Sequence, residues 1–591
     1  MPRSPRVARA IIAATAVVCA GCTTTAGATG VNREAQTLAA ASTLTAGPAA
    51  AAALAADQAD HDEAADHVWN ESDVAAVTLT GTSAIETSPA VTVTGSTVTI
   101  DAAGTYRLSG SLTDGQIVVN STGPGIVRLI LDGVTIANST TAPVDVIAAG
   151  KVLVFLADGS TNQLSDATTY TYPPDVDEPN AALFSAVNTT IAGTGSLSVT
   201  GNADDGITAK DGLVIDAGTI TVTAKDDAIR GKDYLVINGG TITATAGGDG
   251  LKSDNDVDAA CGYISLVAGT VTLTTGGDAV KGKTDVIISG GTLTATAGGG
   301  SGVAPGDSSP EGLKAGELVV ISDGSTTVDV SDDGVNSGAA VTVDGGTTTI
   351  AAGDDGVHAE TTLTVNAGTV DVTRSYEGVE GFKVYVTGGS LSATATNDAF
   401  NASDPAAATG QNSPNALISI TGGLVTVNGG SDGIDSNGTL MIAGGTVVTS
   451  SASLSGAGNG GLDAASGLTV TGGTLISTGI RATTTTLPGA GQGWIAIKLT
   501  ADLPAGTVVH LATSHGVVPG DQIAAYRSAN ALRGLVFSSS QITRGTTYAI
   551  YVGGPLSGTA VGGGLYTGGT LAGVLTATVV AGTQRTGGNR P

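Results

Sequence analysis

The chain has 591 residues, with 52 Asp and Glu against 24 Lys and Arg and a formal net charge of −28 at pH 7. A folded surface this acidic repels nucleic acid and favours cations as partners, which excludes nucleic-acid binding. Aromatic residues make up 3% of the chain and glycine supplies 89 residues, so the composition favours β structure with many tight turns over a core built on rings.

The first residues have the pattern of an export signal. Three arginines precede the apolar run IIAATAVV, which ends in CAGC. The small pair Ala20-Gly21 before Cys22 resembles a bacterial lipobox, although Cys19 stands where such boxes usually carry leucine; an ordinary secretory signal is the alternative. We expect residues 1–22 to be a lipoprotein signal peptide, with Cys22 lipidated. The protein would then be extracytoplasmic and anchored to the cell membrane through this lipid alone.

The segment after the signal lacks the features of a folded region. Residues 23–74 are rich in Ala, Thr and Asp and show no strand alternation, so we expect a disordered tether between membrane and folded part. Beyond the signal the chain holds a single cysteine, Cys261, which excludes a disulfide framework.

The stretch from 75 to 194 is rich in β-formers but follows no fixed period. Segments such as VTVTGSTVTIDAAGTYRLSGSL and IVRLILDGVTIANS alternate apolar and polar residues. They predict irregular, wider β coils that cap the N-terminal end of the domain.

From residue 195 the chain repeats a short β motif that opens with glycine. Examples are GTITVT at 218–223, GTITAT at 240–245 and GTLTAT at 291–296. The commonest spacing is 22 residues, and four of the units are lengthened by insertions. Two or three short strands per 22 residues indicate a β-solenoid whose stacked coils share one core. We therefore predict an all-β fold, a right-handed single-stranded parallel β-helix over residues 195–490.

The pattern changes again near residue 490. GWIAIKLT, VVHLATS and TYAIYVGG predict antiparallel strands, which would close the exposed strand edges of the solenoid. We assign residues 491–575 to this C-terminal cap and residues 576–591 to a disordered tail.

A carboxylate recurs in ten successive units, two or three residues before a short β run. These acids are Asp205, Asp227, Asp249, Asp278, Glu311, Asp333, Asp355, Glu377, Asp398 and Asp432. If the coils stack, neighbouring acids lie about 4.8 Å apart, where like charges destabilise each other. Asp-Gly turn chemistry explains single acids, but Asn or Ser would serve a turn without repulsion.

Three residues after each acid comes a variable position. In the first half of the repeat it is occupied by cations, namely Arg230, Lys252, Lys281 and Lys314. In the second half it offers no reliably charged cation, and it adds the acids Glu380 and Asp435. We read His358 as a solvated or hydrogen-bonded side chain and not as a ligand.

Acids without counter-charges predict a cation site of oxygen ligands. Calcium takes six to eight oxygens, whereas zinc prefers His and Cys, so Ca²⁺ is the expected ion. The candidate ligands are Asp204, Asp205, Asp332, Asp333, Asp354, Asp355, Glu377, Glu380, Asp398 and Asp432.

Three stretches resemble a known bacterial family. GDDGVHAETTLTVNAGTVDVTRSYEGVEG at 353–381, TNDAFNAS at 396–403 and IDAAGTYRLSGSLTDGQIVV at 100–119 are similar to carbohydrate-binding β-helix proteins typified by a clostridial cellulose- and pectin-binding protein. The resemblance spans about 75–555. It implies a calcium-associated parallel β-helix, similar in shape to pectate lyases, that binds plant-type polysaccharides and polygalacturonate.

These observations favour a monomeric, surface-anchored protein that binds acidic or cellulosic polysaccharide with Ca²⁺. The expected sugar contacts are Arg230, Lys252, Lys281, Lys314 and Tyr376. Two alternatives stay open: a pectate-type lyase, which would need a Lys or Arg base beside Ca²⁺, and a purely structural or adhesive solenoid. No catalytic residue is assigned.

Overall fold

A computed structural model describes residues 48–582 except 173–177, 307, 408–410, 453–459, 480–484 and 516–517. The predicted signal peptide with Cys22 and most of the predicted tail lie outside the described residues. Within the described part, no helix is long and apolar enough to cross a membrane.

The repeat forms a parallel β-helix, as predicted. Each coil contributes three short strands, and each strand pairs in parallel with the equivalent strand one coil later, as in Thr219↔Thr241 and Leu235↔Ile264. The three rows of strands form three faces. The regular stacking begins one coil earlier than predicted, because Thr161–Ser165 already pairs with Ser196–Gly201.

We name the faces by their outward features. The threonine face comprises Thr161–Ser165, Ser196–Gly201, Thr219–Ala224, Thr241–Ala246, Thr270–Thr275, Thr292–Ala297, Ser325–Val330, Thr347–Ala352, Thr369–Arg374, Ser390–Thr394, Leu424–Gly429, Thr446–Ser451 and Thr474–Gly479. The ladder face comprises Ala181–Ser185, Asp205–Ala209, Ile229–Gly231, Leu251–Ser253, Val280–Gly282, Leu313–Ala315, Val335–Ser337, Phe400–Ala402, Ile434–Ser436 and Leu462–Ala464.

The third row is called the strap face because residues 48–73, described below, lie on it. It comprises Thr189–Gly193, Gly212–Ile215, Tyr234–Ile237, Tyr263–Leu266, Asp285–Ile288, Leu318–Ile321, Ala340–Val343, Leu417–Ile420, Thr439–Ile442, Gly467–Val470 and Pro488–Gly491. Two longer strands, Val357–Val365 and Val379–Val386, pass from the ladder face into the strap face. Inward residues from all three faces form one continuous aliphatic core.

The glycine that opens each repeat is required by the backbone. Gly240 and Gly291 have φ of 85° and 74°, in the region that disfavours side chains. A Cβ on Gly291 would also lie 2.9 Å from the carbonyl oxygen of Gly269 in the coil below. Close stacking of the turns therefore explains the repeated glycine.

The N-terminal coils are wider and less regular, as predicted. Their strands are Val74–Gly81, Ala84–Glu86, Val91–Thr94, Thr97–Ile100, Gly104–Leu112, Gln116–Asn120, Ile126–Ala137, Val144–Ala148 and Lys151–Leu156. Two antiparallel hairpins interrupt the parallel stacking here, through Val77↔Glu86 and Val93↔Val98.

The prediction of a disordered tether over residues 23–74 is wrong for the part that the structure describes. Residues 48–73 form a strap that begins with the helix Pro48–Ala56 and ends with the short 3₁₀ helix Glu71–Asp73. Its helix packs Ala50 and Ala53 on Ile287 and Val320, which point outward from the strap face. The composition suggested disorder, but small alanines suffice to cover an apolar outer surface that would otherwise face water.

Polar contacts fix the rest of the strap. His61 hydrogen-bonds the Tyr234 hydroxyl (2.9 Å) and Thr190 Oγ1 (3.0 Å). The Tyr263 hydroxyl donates to the carbonyl of Gln58 (2.7 Å), and Lys151 pairs with Asp66. The strap therefore lies along several coils.

The C-terminal cap is antiparallel, as predicted. Its strands are Trp494–Leu503, Val508–His515, Val518–Arg527, Leu532–Ser538, Thr547–Val552, Thr559–Gly562, Leu565–Thr567 and Val574–Val580. The last strand continues five residues beyond the predicted boundary at 575, because it pairs antiparallel with Thr547–Val552. The cap packs on the final coils of the threonine face, where Val448 and Ile476 join its core.

The strap can be tested with two helix variants that add the same charge. We expect Ala50→Glu to release the strap, because a buried unpaired carboxylate costs roughly 1–3 kcal/mol or more. Ala52→Glu changes an exposed residue of the same helix and should have no effect. Binding of an apolar dye to the uncovered strap face and the melting temperature measure the result. Equal behaviour of the two variants would contradict the packing.

Candidate functional site

The ten recurring acids, which we call the acid column, form a stack on the ladder face, and each acid is one rung of this ladder. In most rungs the backbone N–H of the acid donates to the carboxylate of the acid one coil earlier. These bonds are Asp227 to Asp205 (3.1 Å), Asp249 to Asp227 (2.8 Å), Asp278 to Asp249 (2.9 Å), Glu311 to Asp278 (2.9 Å), Asp355 to Asp333 (2.9 Å) and Asp432 to Asp398 (2.8 Å). One carboxylate oxygen per rung thus satisfies a buried backbone donor, and the other faces the variable column.

The positions three residues after each acid form a second stack, the variable column. In the first half of the ladder, lysines of this column bridge pairs of acids. Lys252 Nζ lies 2.7 Å from Asp227 and 3.1 Å from Asp249. Lys281 Nζ lies 3.2 Å from Asp249 and 2.8 Å from Asp278. The register pairs these residues directly, Lys252↔Lys281↔Lys314. Charge compensation of buried acids is therefore the structural role of these lysines.

The two ends of this basic row differ from its middle. Lys314 Nζ lies 2.7 Å from Glu311 but 3.8 Å from Asp278. Arg230 is 3.9 Å from Asp205 and makes its short contact, 2.6 Å, with Asp254. Burial, with the charges of Asp227 and Asp204 next, raises the pKa of Asp205 to about 7. The acids at the ends of the row are thus less well compensated.

The second half replaces lysine with neutral amides and one histidine. Asn336 Nδ2 donates to Asp333 (2.8 Å), and His358 Nδ1 lies 3.0 Å from Asp355. The hydrogen bond to Asp355 raises the pKa of His358 to about 9, against the effect of burial. His358 is therefore charged at neutral pH, which corrects the expectation that this half holds no cation. It is hydrogen-bonded, as expected.

Beyond His358 the variable column holds no further cation within the described residues. Glu377 belongs to the acid column and Glu380 to the variable column beside it. The Asn401 amide donates to both carboxylates, at 2.8 Å and 3.3 Å. Burial raises the pKa of Glu377 and of Glu380 to about 7, and the nearby carboxylates add to the shift.

Asp432 has the most strongly raised pKa among the acids of the ladder face, and Asp435 lies beside it in the same cluster. Burial raises the pKa of Asp432 to about 8 against the hydrogen bond from Gly460, and the charges of Asp398, Asp435 and Asp463 add to the rise. Burial raises the pKa of Asp435 to about 7, with Asp398 and Asp463 next. Asp463 continues the variable column by pairing with Asp435. The sequence signal for Asp463 was present, since GLDAAS matches GIDSNG of the preceding coil.

Among the described residues, five groups on the ladder face bring candidate ligand atoms within 4.8 Å of one another. They are Asp204–Asp205–Asp226, Asp332–Asp333–Asp354, Asp333–Asp355–His358, Asp355–Glu377–Glu380 and Asp398–Asp432–Asp435. All ten predicted metal ligands fall in these groups, whereas Asp226 and Asp435 were missing from the prediction. The structure therefore gathers the predicted residues but divides them among several clusters.

The cluster Asp398–Asp432–Asp435 could hold a calcium ion. Its ligands are all oxygens, as Ca²⁺ prefers, and no lysine or arginine is paired with it in the described part of the chain. Asn401, 9% exposed, pairs in register with Asp435, and its Oδ1 is buried without a hydrogen-bond partner. A cation would satisfy this oxygen and neutralise the acids.

The predicted sugar contacts are placed unevenly. Tyr376 is 50% exposed beside the second half of the ladder, where a sugar ring can reach it. Tyr234 and Tyr263, two other tyrosines of the coils, are stacked 5.5 Å apart beneath the strap and are fully buried. Arg230 and the three lysines are partly exposed along one edge of the ladder.

Comparisons with known proteins place the chain in a family. The fold and the ladder define a β-solenoid protein with one face rich in charged side chains. The family model described as "carbohydrate-binding domain-containing protein" matches residues 94–356 and 354–486, more than half of the chain. The protein therefore belongs to the carbohydrate-binding domain-containing protein family.

Two similar proteins were found. A carbohydrate-binding domain-containing protein of Acetivibrio thermocellus is 41% identical over 128 residues, which cover 22% of this chain and 45% of that relative. The match thus spans less than half the length of the relative. A solved structure titled as the polysaccharide lyase-like protein from C. thermocellum, a gadolinium derivative, is 34% identical, with a TM-score of 0.38. The match covers 38% of this chain and 92% of that one.

The raised acid pKa values predict a pH-dependent stability in the presence of a chelator. The folded pKa of Asp432, about 8, lies above the ordinary value of about 3.9, so folding favours its protonated form. This stabilisation is complete below about pH 4 and is lost as pH rises through 8. We expect the melting temperature to fall across this range.

Asp432→Asn with Asp435→Asn should flatten that fall, because neither amide titrates. The matched control is Asp323→Asn with Asp521→Asn, two exposed acids, which should keep the wild-type slope. Melting curves at half-unit pH steps give the comparison. Parallel slopes for all three proteins would show that the buried pair does not drive the effect.

Proposed function

We propose that this protein binds acidic polysaccharide along the ladder face, with Ca²⁺ held in the second half of the ladder. Family membership supports a carbohydrate ligand. The observation that carries the acidic specificity is the register-matched row Arg230–Lys252–Lys281–Lys314, which runs along four consecutive coils. A polymer with a carboxylate on each sugar matches a linear row of cations.

The lysines retain capacity for an outside ligand. An ammonium group has three N–H donors, and Lys281 uses two of them on Asp249 and Asp278. The side chains of Lys281 and Lys314 are 37% and 35% exposed, so the remaining donors can reach a sugar carboxylate. Charge-assisted hydrogen bonds of this kind are the stronger ones.

Calcium would serve the half of the ladder that lacks lysine. Asp398, Asp432, Asp435 and the Asn401 amide oxygen would hold the ion. The ion supplies a positive charge that can bridge ladder carboxylates and a sugar carboxylate. Tyr376, in the same half, would offer an apolar face to the sugar ring.

The pairing of the basic row with acids does not favour the lyase alternative. A lysine base needs a lowered pKa. Burial lowers the pKa of Lys252, but the hydrogen bond to Asp227 and the charges of Asp227 and Asp249 outweigh it and raise the pKa. The pKa values of Lys281, Lys314 and Arg230 are raised in the same way by their acid partners. We therefore propose binding without bond cleavage.

Two double variants separate the halves of the ladder. Lys281→Gln with Lys314→Gln should weaken polygalacturonate binding at least tenfold and reduce its salt dependence, because exposed charge pairs are screened. Calcium affinity should stay at the wild-type value. Asp432→Asn with Asp435→Asn should lose calcium binding while the Asn side chains keep the turns. Titration calorimetry with Ca²⁺ and with polygalacturonate measures both.

The control for the lysine variant is Lys225→Gln with Lys283→Gln, which removes the same charge from exposed lysines outside the variable column. If this control weakens polygalacturonate binding equally, net charge and not the ladder row governs affinity. If neither glycan nor Ca²⁺ binds the wild-type protein, the proposed ligands are wrong.

We also propose that the protein is anchored at the cell surface through a lipid on Cys22. The support is the small pair Ala20-Gly21 before that cysteine, at the end of an apolar run. Cys22→Ser should move the protein from the membrane fraction into the medium, measured by fractionation and immunoblotting. The conservative control is Thr23→Ser, which changes the neighbouring residue and should stay with membranes. Retention of the Cys22→Ser variant in membranes would contradict the anchor.

A further inference from the structure

The threonine face carries a two-dimensional array of threonines in four consecutive strands. The twelve positions are Thr219, Thr221, Thr223, Thr241, Thr243, Thr245, Thr270, Thr272, Thr274, Thr292, Thr294 and Thr296. Eleven are exposed and Thr296 is half-buried. The register of these strands is unbroken, so the threonines form three straight columns.

Serines and threonines extend the array on both sides. Ser196, Ser198 and Thr200 precede it in register, and Ser325 and Thr327 follow it. Adjacent strands are about 4.8 Å apart and alternate residues along a strand about 6.6 Å apart. The array therefore repeats two chemical groups, a hydroxyl and a methyl, at fixed intervals in two directions.

Nothing in the described part of the chain occupies this array. None of the twelve hydroxyls has a hydrogen-bond partner among the described residues, although elsewhere threonines such as Thr284 and Thr361 bond to backbone carbonyls. The strap covers the strap face, and the cap covers only the last coils of the threonine face. The array is left open to solvent.

The array is also free of charge. Its twelve positions hold no acid or base in a protein with a net charge of −28. Acids enter the same columns only later, at Asp329 and Asp371. Threonine suits exposed strands generally, but strand propensity does not select one residue at twelve adjacent positions. Outward positions of the strap face are mixed, for example Val214, Ser265 and Ile287.

The chemistry of the array disfavours a dissolved glycan. It offers no aromatic ring for a sugar face and no cation for a uronate. A hydroxyl that exchanges water for a sugar hydroxyl gains little net free energy. Many weak contacts add up only when the partner is rigid and presents matching groups at the same intervals, because no ordering cost is then incurred.

Crystalline water is such a partner. Oxygens in hydrogen-bonded water lie about 2.8 Å apart, and tetrahedral geometry places second neighbours about 4.5 Å apart. This interval is within about 0.3 Å of the strand spacing. Each oxygen of the lattice both donates and accepts hydrogen bonds, as does each threonine hydroxyl.

We propose that the threonine array binds the surface of ice. This function is separate from glycan binding on the ladder face, and it uses neither calcium nor the basic row. Adsorption at the array would let the protein attach to ice crystals and oppose their growth.

Ice-affinity purification and ice-recrystallisation assays test the proposal. The wild-type protein should enter the ice phase and keep crystals small at micromolar concentration. Thr243→Lys with Thr272→Lys places two charged side chains at register-paired positions in the middle column. We expect this variant to lose at least tenfold in both assays, because the charges interrupt the lattice contact.

The matched control is Thr342→Lys with Thr364→Lys, a register-paired couple on the strap face, which should behave as wild type. Melting curves establish that both variants fold. A wild-type protein that stays in the liquid phase, or an array variant that enters ice as well as wild type, overturns the proposal.

A pull-down on microcrystalline cellulose with the same proteins distinguishes the other rigid lattice. If the array variant loses cellulose binding and the wild type does not bind ice, the array recognises a crystalline glycan and the assignment to ice is wrong. Polygalacturonate binding measured alongside should be equal in all three proteins, so failure of the ice proposal leaves the ladder-face proposal intact.

Discussion

The parallel hydrogen bonding of the backbone between successive coils is the constraint on which the rest of the structure depends. It places equivalent residues of successive repeats about 4.8 Å apart, whatever their chemistry. For aliphatic residues this produces a continuous core from short strands that could not bury their side chains alone. For acids it produces a column of like charges, and for threonines a column of hydroxyls. Each surface feature of this protein thus arises because one residue type recurs at one position of the repeat and stacking aligns its copies.

The acid column shows how a stack of like charges is tolerated. Each acid that accepts the backbone N–H of the next coil satisfies a buried donor that water cannot reach. This benefit is repeated along the axis of the solenoid. The accompanying repulsion is offset in three different ways. Lysines bridge neighbouring acids in the first half, His358 and amides follow, and the end around Asp432 is left with raised pKa values. Compensation is therefore best in the middle of the basic row, from Asp227 to Asp278, and weakest around Asp432. The two proposed ligands, uronate and calcium, suit these different parts of the ladder.

The three faces have different relations to the rest of the chain. The strap covers the face whose outward residues include the apolar Val214, Val236 and Ile287. The cap covers the final coils of the threonine face. The charged ladder and the uncharged threonine array stay open on separate sides of each coil, so one solenoid can present two surfaces of unlike chemistry. The insertion between Thr245 and Thr270 lies outside the strands, and the columns continue in register past it.

The sequence by itself determined the repeat, and with it everything that depends on the position of a residue within a coil. The period near 22 predicted the β-helix, the acid column and the basic row of Lys252, Lys281 and Lys314, because stacking maps sequence period directly onto spatial neighbours. Only the tertiary structure decided what lies against those columns. The strap of residues 48–73 looked disordered because its alanines carry no period, and their packing surface belongs to coils more than 200 residues away. The charge of His358 depends on the distance to Asp355, and the unsatisfied oxygen of Asn401 depends on which neighbours take its amide nitrogen. Such properties arise from three-dimensional surroundings, which a one-dimensional period does not contain.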